Sequence, residues 1–397
     1  MFLGMLVSTV GSSMVWPFLM SFVTRLLDVP LTTAASLMTI NSVVALASAF
    51  VAGPVIDRFG RKWMMVVSLL GMGLVYTFYT QANSYAFIAL LMAGTGFFNP
   101  LYRVGADAMM ADLIPPEQRP SGYALLRMAN NLGIAVGPMI GGYVAVRSYD
   151  IAFLGAATGF SIFAVLIAIF ARETLASRIK QAGPPAPAPE PPKTNEREPL
   201  GGYLKVLADR EFLSFIVAFT LTQCCAALIW VLLNVHMLQN FAIPESQYGS
   251  IAMTNALMVV IFQALVTAQT RKRPPLPVMA AGSLLYALAV ISIAFGTGFW
   301  GFWLSMVIMT TGELMLMPTS TTYTANLAPA HMRGRYMSVY SLTWGIAQGI
   351  APLGGGFLAD NLGPSAPWIG GGVVGMLAVA AFVIMAGRRR KIQPEAA

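Results

Sequence analysis

Long apolar segments alternate with short polar ones along nearly the whole chain of 397 residues. A helix needs about 20 apolar residues to cross a hydrocarbon core of roughly 30 Å, and twelve segments reach that length. A transmembrane β-barrel would instead show segments of roughly ten residues that alternate in polarity, a pattern this sequence lacks. The sequence therefore predicts twelve membrane-spanning helices, numbered here as spans 1 to 12: 1–24, 33–56, 63–82, 85–110, 121–146, 151–171, 212–238, 247–269, 275–295, 298–323, 335–360 and 366–387.

The composition narrows the class of protein. Hydrophobic residues make up 57% of the chain and charged residues only 10%, whereas about a quarter of an average soluble domain is charged. So few charges cannot cover a water-facing surface, which excludes a soluble enzyme, a disordered protein and a nucleic-acid binder despite the net charge of +8. The two cysteines, Cys224 and Cys225, are adjacent in an apolar segment, so we expect a packing role and no metal site.

The basic residues predict the topology. If the N-terminus is cytosolic, twenty of the 24 lysines and arginines fall in cytosolic segments, while Arg25 and Arg147 fall outside and Arg103 and Arg127 lie within spans. This bias follows the positive-inside rule. We therefore expect a multi-pass protein of the cell inner (plasma) membrane with both termini cytosolic. Span 1 lacks a preceding basic region and is predicted to be a retained helix, not a signal peptide.

One long polar interruption divides the spans into six and six. Residues 173–209 contain a Pro-rich run that is typical of an extended, flexible tether. The expected organisation is a six-helix bundle over 1–172, a cytosolic linker over 173–209, a second six-helix bundle over 210–391 and a cytosolic tail over 392–397.

The two halves share an internal repeat. The segment 112–119 aligns with 326–333 at an offset of 214 residues, and the same offset places Pro138 on Pro352, Gly141 on Gly355 and Gly142 on Gly356. Parallel repeats of six helices are typical of secondary transporters, whose substrate site lies between the repeats near the middle of the bilayer.

The loop between spans 2 and 3 carries the most specific motif. It reads Gly53-Pro-Val-Ile-Asp57-Arg58-Phe-Gly60-Arg61-Lys62, which resembles the G-x-x-x-D-R-x-G-R-K signature of the major facilitator superfamily. The simpler interpretation is a positively charged topology anchor. The resemblance implies a latch that holds the cytosolic side shut, in which Asp57 meets the positive N-terminal end of span 11 and Arg61 pairs with Asp112.

Span 5 carries a second motif, formed by Gly133, Gly137, Pro138, Gly141 and Gly142. Glycines at this spacing are common wherever membrane helices pack closely. The spacing also resembles the G-x-x-x-G-P-x-x-G-G motif of the 12-helix drug:proton antiporter branch of that superfamily, where a kinked, closely packed helix pair seals the interface.

Two departures weaken the link to that branch. Span 11 repeats much of the glycine pattern, and the arginine that many of these antiporters carry early in span 4 is replaced by Leu90, with Arg103 later in the span.

Four charged residues lie within the predicted spans when the first and last residue of each span are left out: Arg103, Asp107, Arg127 and Glu313. Each is costly in lipid and should face protein or a water-filled cavity. Arg103 and Asp107 share one face of span 4 with Asn99. They form either a structural ion pair, with Arg127 as an alternative partner for Asp107, or a cavity surface that contacts a polar group of the substrate.

Glu313 lies near the middle of span 10, with no lysine or arginine close to it on its own helix. Its carboxyl group can either exchange a proton during transport or remain neutral and hydrogen-bonded between helices. We therefore name Glu313, Asp107 and Arg103 as the candidates for proton coupling.

The family resemblance implies that spans 1, 4, 7 and 10 line the cavity. The candidate cavity residues on these spans and beside them are Trp16, Asn99, Arg127, Gln223, Trp230 and Asn234. A packing role is the alternative for each of them.

Together these features predict an all-α membrane protein with twelve helices in two pseudo-symmetric bundles. The expected function is secondary active transport by alternating access, as proton-coupled efflux of lipophilic small molecules. The alternatives are a transporter of another small solute (a sugar, metabolite or lipid) and a membrane receptor or scaffold that does not transport. We expect a monomer in the lipid bilayer with a small-molecule substrate and protons as partners, without cofactor, metal, nucleic acid or enzymatic activity.

Overall fold

The computed structural model describes residues 2–114, 119–174, 201–329 and 332–392. Within these ranges the chain is helical apart from short connections, and it contains no β-strand. The all-helical fold class is therefore confirmed for the described part. Most of the predicted linker and the last residues of the predicted tail lie outside it, as does the side chain of Arg127.

A long helix lies at each of the twelve predicted positions. The helices of the first half are Phe2–Val15 with Leu19–Leu27, Leu31–Phe59, Arg61–Phe78, Tyr85–Leu113, Arg119–Ala145 and Tyr149–Phe170. Those of the second half are Arg210–Phe241, Glu245–Thr270, Pro275–Phe295, Phe299–Leu327, Arg333–Leu362 and Ala366–Ile392. We keep the names span 1 to span 12 for them. A further short helix, Gly201–Ala208, lies within the range predicted as linker.

Ten helices in the described residues are long and apolar enough to cross a membrane. The helices of spans 5 and 11 are not among the ten, although they contain 27 and 30 residues. Both are rich in glycine and polar residues, which lowers their mean hydropathy. Such residues are expected where helices pack closely against each other instead of facing lipid.

Span 1 is interrupted where the sequence reads Trp16-Pro17. A turn of 3-10 helix over Trp16–Phe18 separates its two α-helical parts. Pro17 lacks a backbone N–H and disfavours a continuous helix at this point. The break lies in the part of span 1 that packs against span 7.

The packing of the two halves follows the same scheme. In the first half, span 1 packs on spans 5 and 6, span 2 on span 4, and span 3 on spans 4 and 6. In the second half, span 7 packs on spans 11 and 12, span 8 on span 10, and span 9 on spans 10 and 12. The main contacts between halves join span 2 to span 11 and span 5 to span 8. In the repeat, spans 2 and 11 correspond to spans 8 and 5, so the two contacts between halves are equivalent.

Candidate transport site and its two ends

The loop between spans 2 and 3 is held by contacts within the first half. Gly60 adopts φ +92°, a backbone conformation that other residues rarely adopt. The Glu173 carboxylate, just after span 6, accepts hydrogen bonds of 3.1 Å from the backbone N–H groups of Arg61 and Lys62. It therefore caps span 3, whose N-terminal end attracts negative charge.

Arg61 is buried beneath this loop and forms an ion pair with Asp112 at the end of span 4. The structure therefore gives Arg61 the partner that the sequence suggested. The Arg61 Nη1 also donates a 3.0 Å hydrogen bond to the backbone carbonyl of Ala108. Together these contacts tie span 3 to span 4. Both of these contacts lie within the first half.

Asp57 does not make the contact expected of it in this conformation. Its side chain is exposed and forms no hydrogen bond or ion pair with the described residues. On the face of span 2 that carries Asp57, Leu46 is 37% exposed and Phe50 is 70% exposed. A Cβ added at Gly53 would meet no atom within 4 Å. The latch between Asp57 and span 11 is therefore open here, because the two helices are apart at this end.

Arg58 and Lys62 complete the motif without bridging the halves. The Arg58 guanidinium lies 5.6 Å from the ring centroid of Phe59, and the Lys62 ammonium lies 5.1 Å from that of Trp63. Both are local cation–π contacts near the end of the helix pair.

Span 11 shows the same separation from its own side. Gly345 and Gly334, toward the end where Asp57 lies, have nothing within 4 Å of an added Cβ. Farther along, an added Cβ at Gly349 would lie 3.0 Å from Ser42 Cβ, and one at Gly356 would lie 2.8 Å from the Thr32 backbone nitrogen. Spans 2 and 11 therefore touch at one end and separate toward the other.

We call the end with the span 2–3 loop the inner end, following the predicted topology, and the opposite end the outer end. The outer end is closed by hydrogen bonds between the halves. Thr39 Oγ1 donates to the Gly349 carbonyl at 2.5 Å, and Asn234 Nδ2 donates to Ser21 Oγ at 2.7 Å. The Asp360 carboxylate also accepts bonds from the first residues of span 2.

Spans 5 and 8 close the outer end on the other side of the molecule. Arg25 forms a 3.0 Å ion pair with Glu245, the first residue of span 8, and Tyr149 donates a 2.7 Å hydrogen bond to the same carboxylate. An added Cβ at Gly142 would lie 2.9 Å from the carbonyl carbon of Glu245. Glu245 is buried. Its contacts with Arg25 and Tyr149 join spans 1, 6 and 8 in one polar cluster.

The span 5 glycines lie against two neighbours. Added Cβ atoms at Gly133, Gly137 and Gly141 would collide with span 1, at Thr9, Ser13 and Met14 respectively. Gly142 faces span 8, as does the Pro138 carbonyl, which is in close contact with Gly249. The glycine motif therefore packs both against span 1 of its own half and against span 8 of the other half. A role in close helix packing is sufficient to explain both contacts.

Span 4 presents a separate polar surface. Asn99, Arg103 and Asp107 are all exposed and lie within about 80° of one another around the helix. The exposed apolar residues Leu90 and Phe97 point to the opposite side, about 160–180° from Asn99. Two distinct exposed faces are expected when one side of a helix meets lipid and the other meets a water-filled cavity.

Glu313 lies at the middle of span 10 and is half-buried. Asn255 of span 8 donates a 2.8 Å hydrogen bond to its Oε2 and a 2.9 Å bond to Thr310 Oγ1, one turn earlier. A neutral amide from the neighbouring helix is thus one of the partners of this carboxyl group. An amide N–H can donate to a carboxyl oxygen whether the carboxyl group is protonated or ionised.

The remaining candidate residues are more buried than an open cavity would require. Asn234 is fully buried in its contact with Ser21, and Gln223 is 4% exposed, with no hydrogen bond to its Oε1 among the described residues. Trp230 and Trp16 are half-buried against the core. In this conformation Asn234 therefore joins spans 7 and 1 instead of lining a cavity, because the closed outer end covers it.

Four contributors to these contacts were missed from the sequence: Glu173, Glu245, Asp360 and Asn255. The acidic residues lie outside or at the margins of the predicted spans, where charges are common and carry little signal. Asn255 had a usable signal, since an amide within an apolar span must find a polar partner. Among the described residues no group of histidine, cysteine or acidic side chains could hold a metal ion.

The sequence profile of the Major Facilitator Superfamily matches residues 1–228 and again 215–397. This chain belongs to the major facilitator superfamily. The two successive matches agree with the internal repeat at an offset of 214 residues. The members of the family and the relatives below are transporters, so the protein is a membrane transporter and not an enzyme.

Characterised relatives share about a quarter of their residues with this chain. It is 26% identical to a Na(+), Li(+), K(+)/H(+) antiporter of Planococcus maritimus over 86% of this chain and 84% of that protein. It is 25% identical to the multidrug resistance protein MdtH of Yersinia pestis over 85% of this chain and 81% of that protein.

Solved structures confirm the fold at lower identity. A POT family transporter in complex with 5-aminolevulinic acid superimposes with a TM-score of 0.79 at 17% identity, covering 98% of this chain and 95% of that one. The nucleoside transporter NupG gives a TM-score of 0.78 at 11% identity, covering 97% and 99%. These similarities support the family fold and leave the substrate open.

Proposed function

We propose that this transporter works by alternating access and exports lipophilic small molecules in exchange for protons. Its twelve spans form two six-helix bundles, an arrangement supported by the repeated packing scheme of the two halves. The bundles rock about the span 2–11 and span 5–8 contacts, so that the cavity opens at one end at a time. The conformation described here is closed at the outer end and open at the inner end.

The observation that carries proton coupling is the environment of Glu313. It is a half-buried carboxyl group at the middle of a cavity span, and one of its hydrogen-bond partners is the neutral amide of Asn255. A group of this kind can gain a proton from one side and lose it to the other as the halves rock. The same carboxylate can attract a cationic substrate, so that proton and substrate compete for one site.

Proton/alkali-cation antiport is the second candidate. It is favoured by the 26% identity with the antiporter of Planococcus maritimus. Oxygen atoms of Glu313 and Thr310 lie together through their shared contact with Asn255, and carboxylate and hydroxyl oxygens suit hard cations. Under this proposal the exported substrate is a monovalent cation, and the proton site is unchanged.

Both proposals are tested in everted membrane vesicles from an efflux-deficient host. Respiration acidifies the vesicle lumen and quenches acridine orange, and a substrate exchanged for luminal protons restores the fluorescence. We expect recovery on addition of lipophilic dyes with the wild-type protein and with Asp150→Asn, an exposed acid at the outer end of span 6. Glu313→Gln should give no recovery.

The outcomes separate the candidates. Recovery with Na⁺, Li⁺ or K⁺ but with no dye would favour the second candidate. An equal response from wild type and Glu313→Gln would contradict the role of Glu313. Parallel uptake of radiolabelled substrate into liposomes separates loss of coupling from loss of transport.

A further inference from the structure

Asp360 caps span 2 from the other half of the molecule. It lies at the outer end of span 11, and its carboxylate accepts hydrogen bonds from Leu31 N at 3.0 Å, Thr32 N at 2.8 Å and Thr32 Oγ1 at 2.6 Å. Leu31 is the first residue of the span 2 helix. The first N–H groups of a helix lack partners within it and attract negative charge. Asp360 therefore supplies the cap that span 2 does not supply for itself.

The same two helices carry a second acid at their other end. Spans 2 and 11 run antiparallel, so the end of span 2 with Asp57 and the start of span 11 at Arg333 are both at the inner end of the molecule, separated in this structure. Each helix thus has an aspartate within its last turn. That aspartate is at the end of the molecule where the partner helix begins. In this structure Asp360 caps span 2, and Asp57 forms no hydrogen bond or ion pair with the described residues.

We propose that Asp360 is the outer latch of the transporter and alternates with Asp57 in capping the partner helix. Spans 2 and 11 then act as one two-ended clasp. Asp360 stabilises the state closed at the outer end, and Asp57 stabilises the state closed at the inner end. This inference rests on the proposed alternating access, and it assigns to Asp360 a positioning role in setting the balance between the two states.

The geometry makes the two contacts mutually exclusive. Spans 2 and 11 touch near Thr39, Ser42 and Gly349. Asp360 lies eleven positions beyond Gly349, which is a lever of about 16 Å at 1.5 Å per residue. A rotation of about 10° about that contact moves the carboxylate by roughly 3 Å, enough to break all three hydrogen bonds. Closing the inner gap requires a rotation in this direction, so one cap is lost as the other forms.

The repeat shows that this clasp is confined to one side of the molecule. At the offset of 214 residues, the counterpart of Asp360 in span 5 is Val146. The loop that corresponds to the one with Asp57 reads Gln269-Thr-Arg-Lys-Arg273 and contains no acid. On that side, the Arg25–Glu245 pair ties span 8 to span 1 at the outer end instead. The two aspartates thus occur together on the span 2–11 side and are both missing from the span 5–8 side.

The test measures the two ends separately by pulsed electron spin resonance in lipid nanodiscs without substrate. Spin labels at Ile151 and Phe295 report the outer end, and labels at Phe170 and Lys272 report the inner end. All four side chains are exposed, and each pair joins the two halves. Cys224 and Cys225 are first replaced by alanine, and thermal unfolding checks that this background folds like the wild type.

We expect Asp360→Asn to shift the ratio of outer-closed to outer-open molecules about two- to fivefold toward outer-open, as loss of one charge at a helix N-terminus predicts. Asp57→Asn should shift the ratio in the opposite direction or leave it at the outer-closed limit. The double variant should return toward the wild-type ratio. Thr32→Val, which keeps the charge and removes one hydrogen bond, should give a smaller shift in the same direction as Asp360→Asn.

Asn361→Ala is the matched control, because among the described residues the Asn361 side chain donates a hydrogen bond only to the Phe357 carbonyl of its own helix. It should leave both distance distributions unchanged. Where both states are populated, a shift of the same size in Asn361→Ala and Asp360→Asn, or no shift in Asp360→Asn and Thr32→Val, would overturn the latch alone. A protein that shows one fixed state in every variant would overturn the latch and alternating access together.

Discussion

Three consecutive glycines of span 11 lie in three different environments and allow a sharp test of the contact between the halves. An added Cβ would have nothing within 4 Å at Gly354, would meet the side-chain ends of span 7 at Gly355, and would lie 2.8 Å from Thr32 N and 2.9 Å from the Leu31 carbonyl at Gly356. The three alanine substitutions therefore make the same chemical change against open space, flexible side chains and rigid backbone.

The expected magnitudes follow from these distances. Each substitution gains about 1 kcal/mol of helix propensity. Non-bonded heavy atoms pack at about 3.5 Å, so at Gly356 the backbone of span 2 must move by about 0.6–0.7 Å. Overpacking of this kind costs about 1–3 kcal/mol. The obstacle is the backbone of the other half, so this cost falls on the outer-closed state. The ratio of outer-closed to outer-open molecules should therefore fall about 5- to 150-fold relative to Gly354→Ala.

The assay is the distance distribution between spin labels at Ile151 and Phe295, together with thermal unfolding. Gly354→Ala should keep the wild-type distances, and Gly356→Ala should populate a longer outer distance. Gly355→Ala should change the unfolding temperature without changing the distance, since it contacts only Leu228 and Leu232 beyond its own span at close range. Identical distance distributions in Gly354→Ala and Gly356→Ala would refute the close outer contact.

Three further predictions concern contacts that hold the helices in place, and each is measured as a change in unfolding free energy or temperature in detergent. Asp112→Asn should lower stability by about 3 kcal/mol, because the buried Arg61 loses its ionic partner; wild-type stability would contradict this. Glu173→Gln should cost about 0.5–1 kcal/mol through the lost charge at the start of span 3, whereas Asp150→Asn at the exposed end of span 6 should cost less. Asn234→Ala and Ser21→Ala should show a coupling energy of about 1 kcal/mol in a double-mutant cycle, and strict additivity would count against their hydrogen bond.

The family and the helical fold could be predicted because their signals are local. Span length is fixed by bilayer thickness, and the loop from Gly53 to Lys62 has a spacing that is specific to one superfamily. The partner of Arg61 could also be suggested, since Asp112 ends a predicted span on the same side of the membrane. These inferences use charge, length and sequence position alone.

The contacts between halves could not be predicted in the same way. Whether Asp57 or Asp360 is engaged depends on the conformational state, and one sequence encodes both states. Asn234 was expected to line a cavity because of its polarity and helical position. Its burial against Ser21 depends on how the broken span 1 lies against span 7, which no local pattern determines. Asn255 and Glu313 are 58 positions apart in sequence, and the packing of spans 8 and 10 brings them together.

The central claim is that Glu313 couples proton movement to alternating access, and liposome counterflow tests it most directly. Purified protein is reconstituted with a substrate identified in the vesicle screen. Exchange of labelled for unlabelled substrate is then compared with accumulation driven by a pH gradient. The account predicts that Glu313→Gln keeps the exchange and loses the gradient-driven accumulation, while Asp150→Asn keeps both. Gradient-driven accumulation at the wild-type rate in Glu313→Gln would contradict the account.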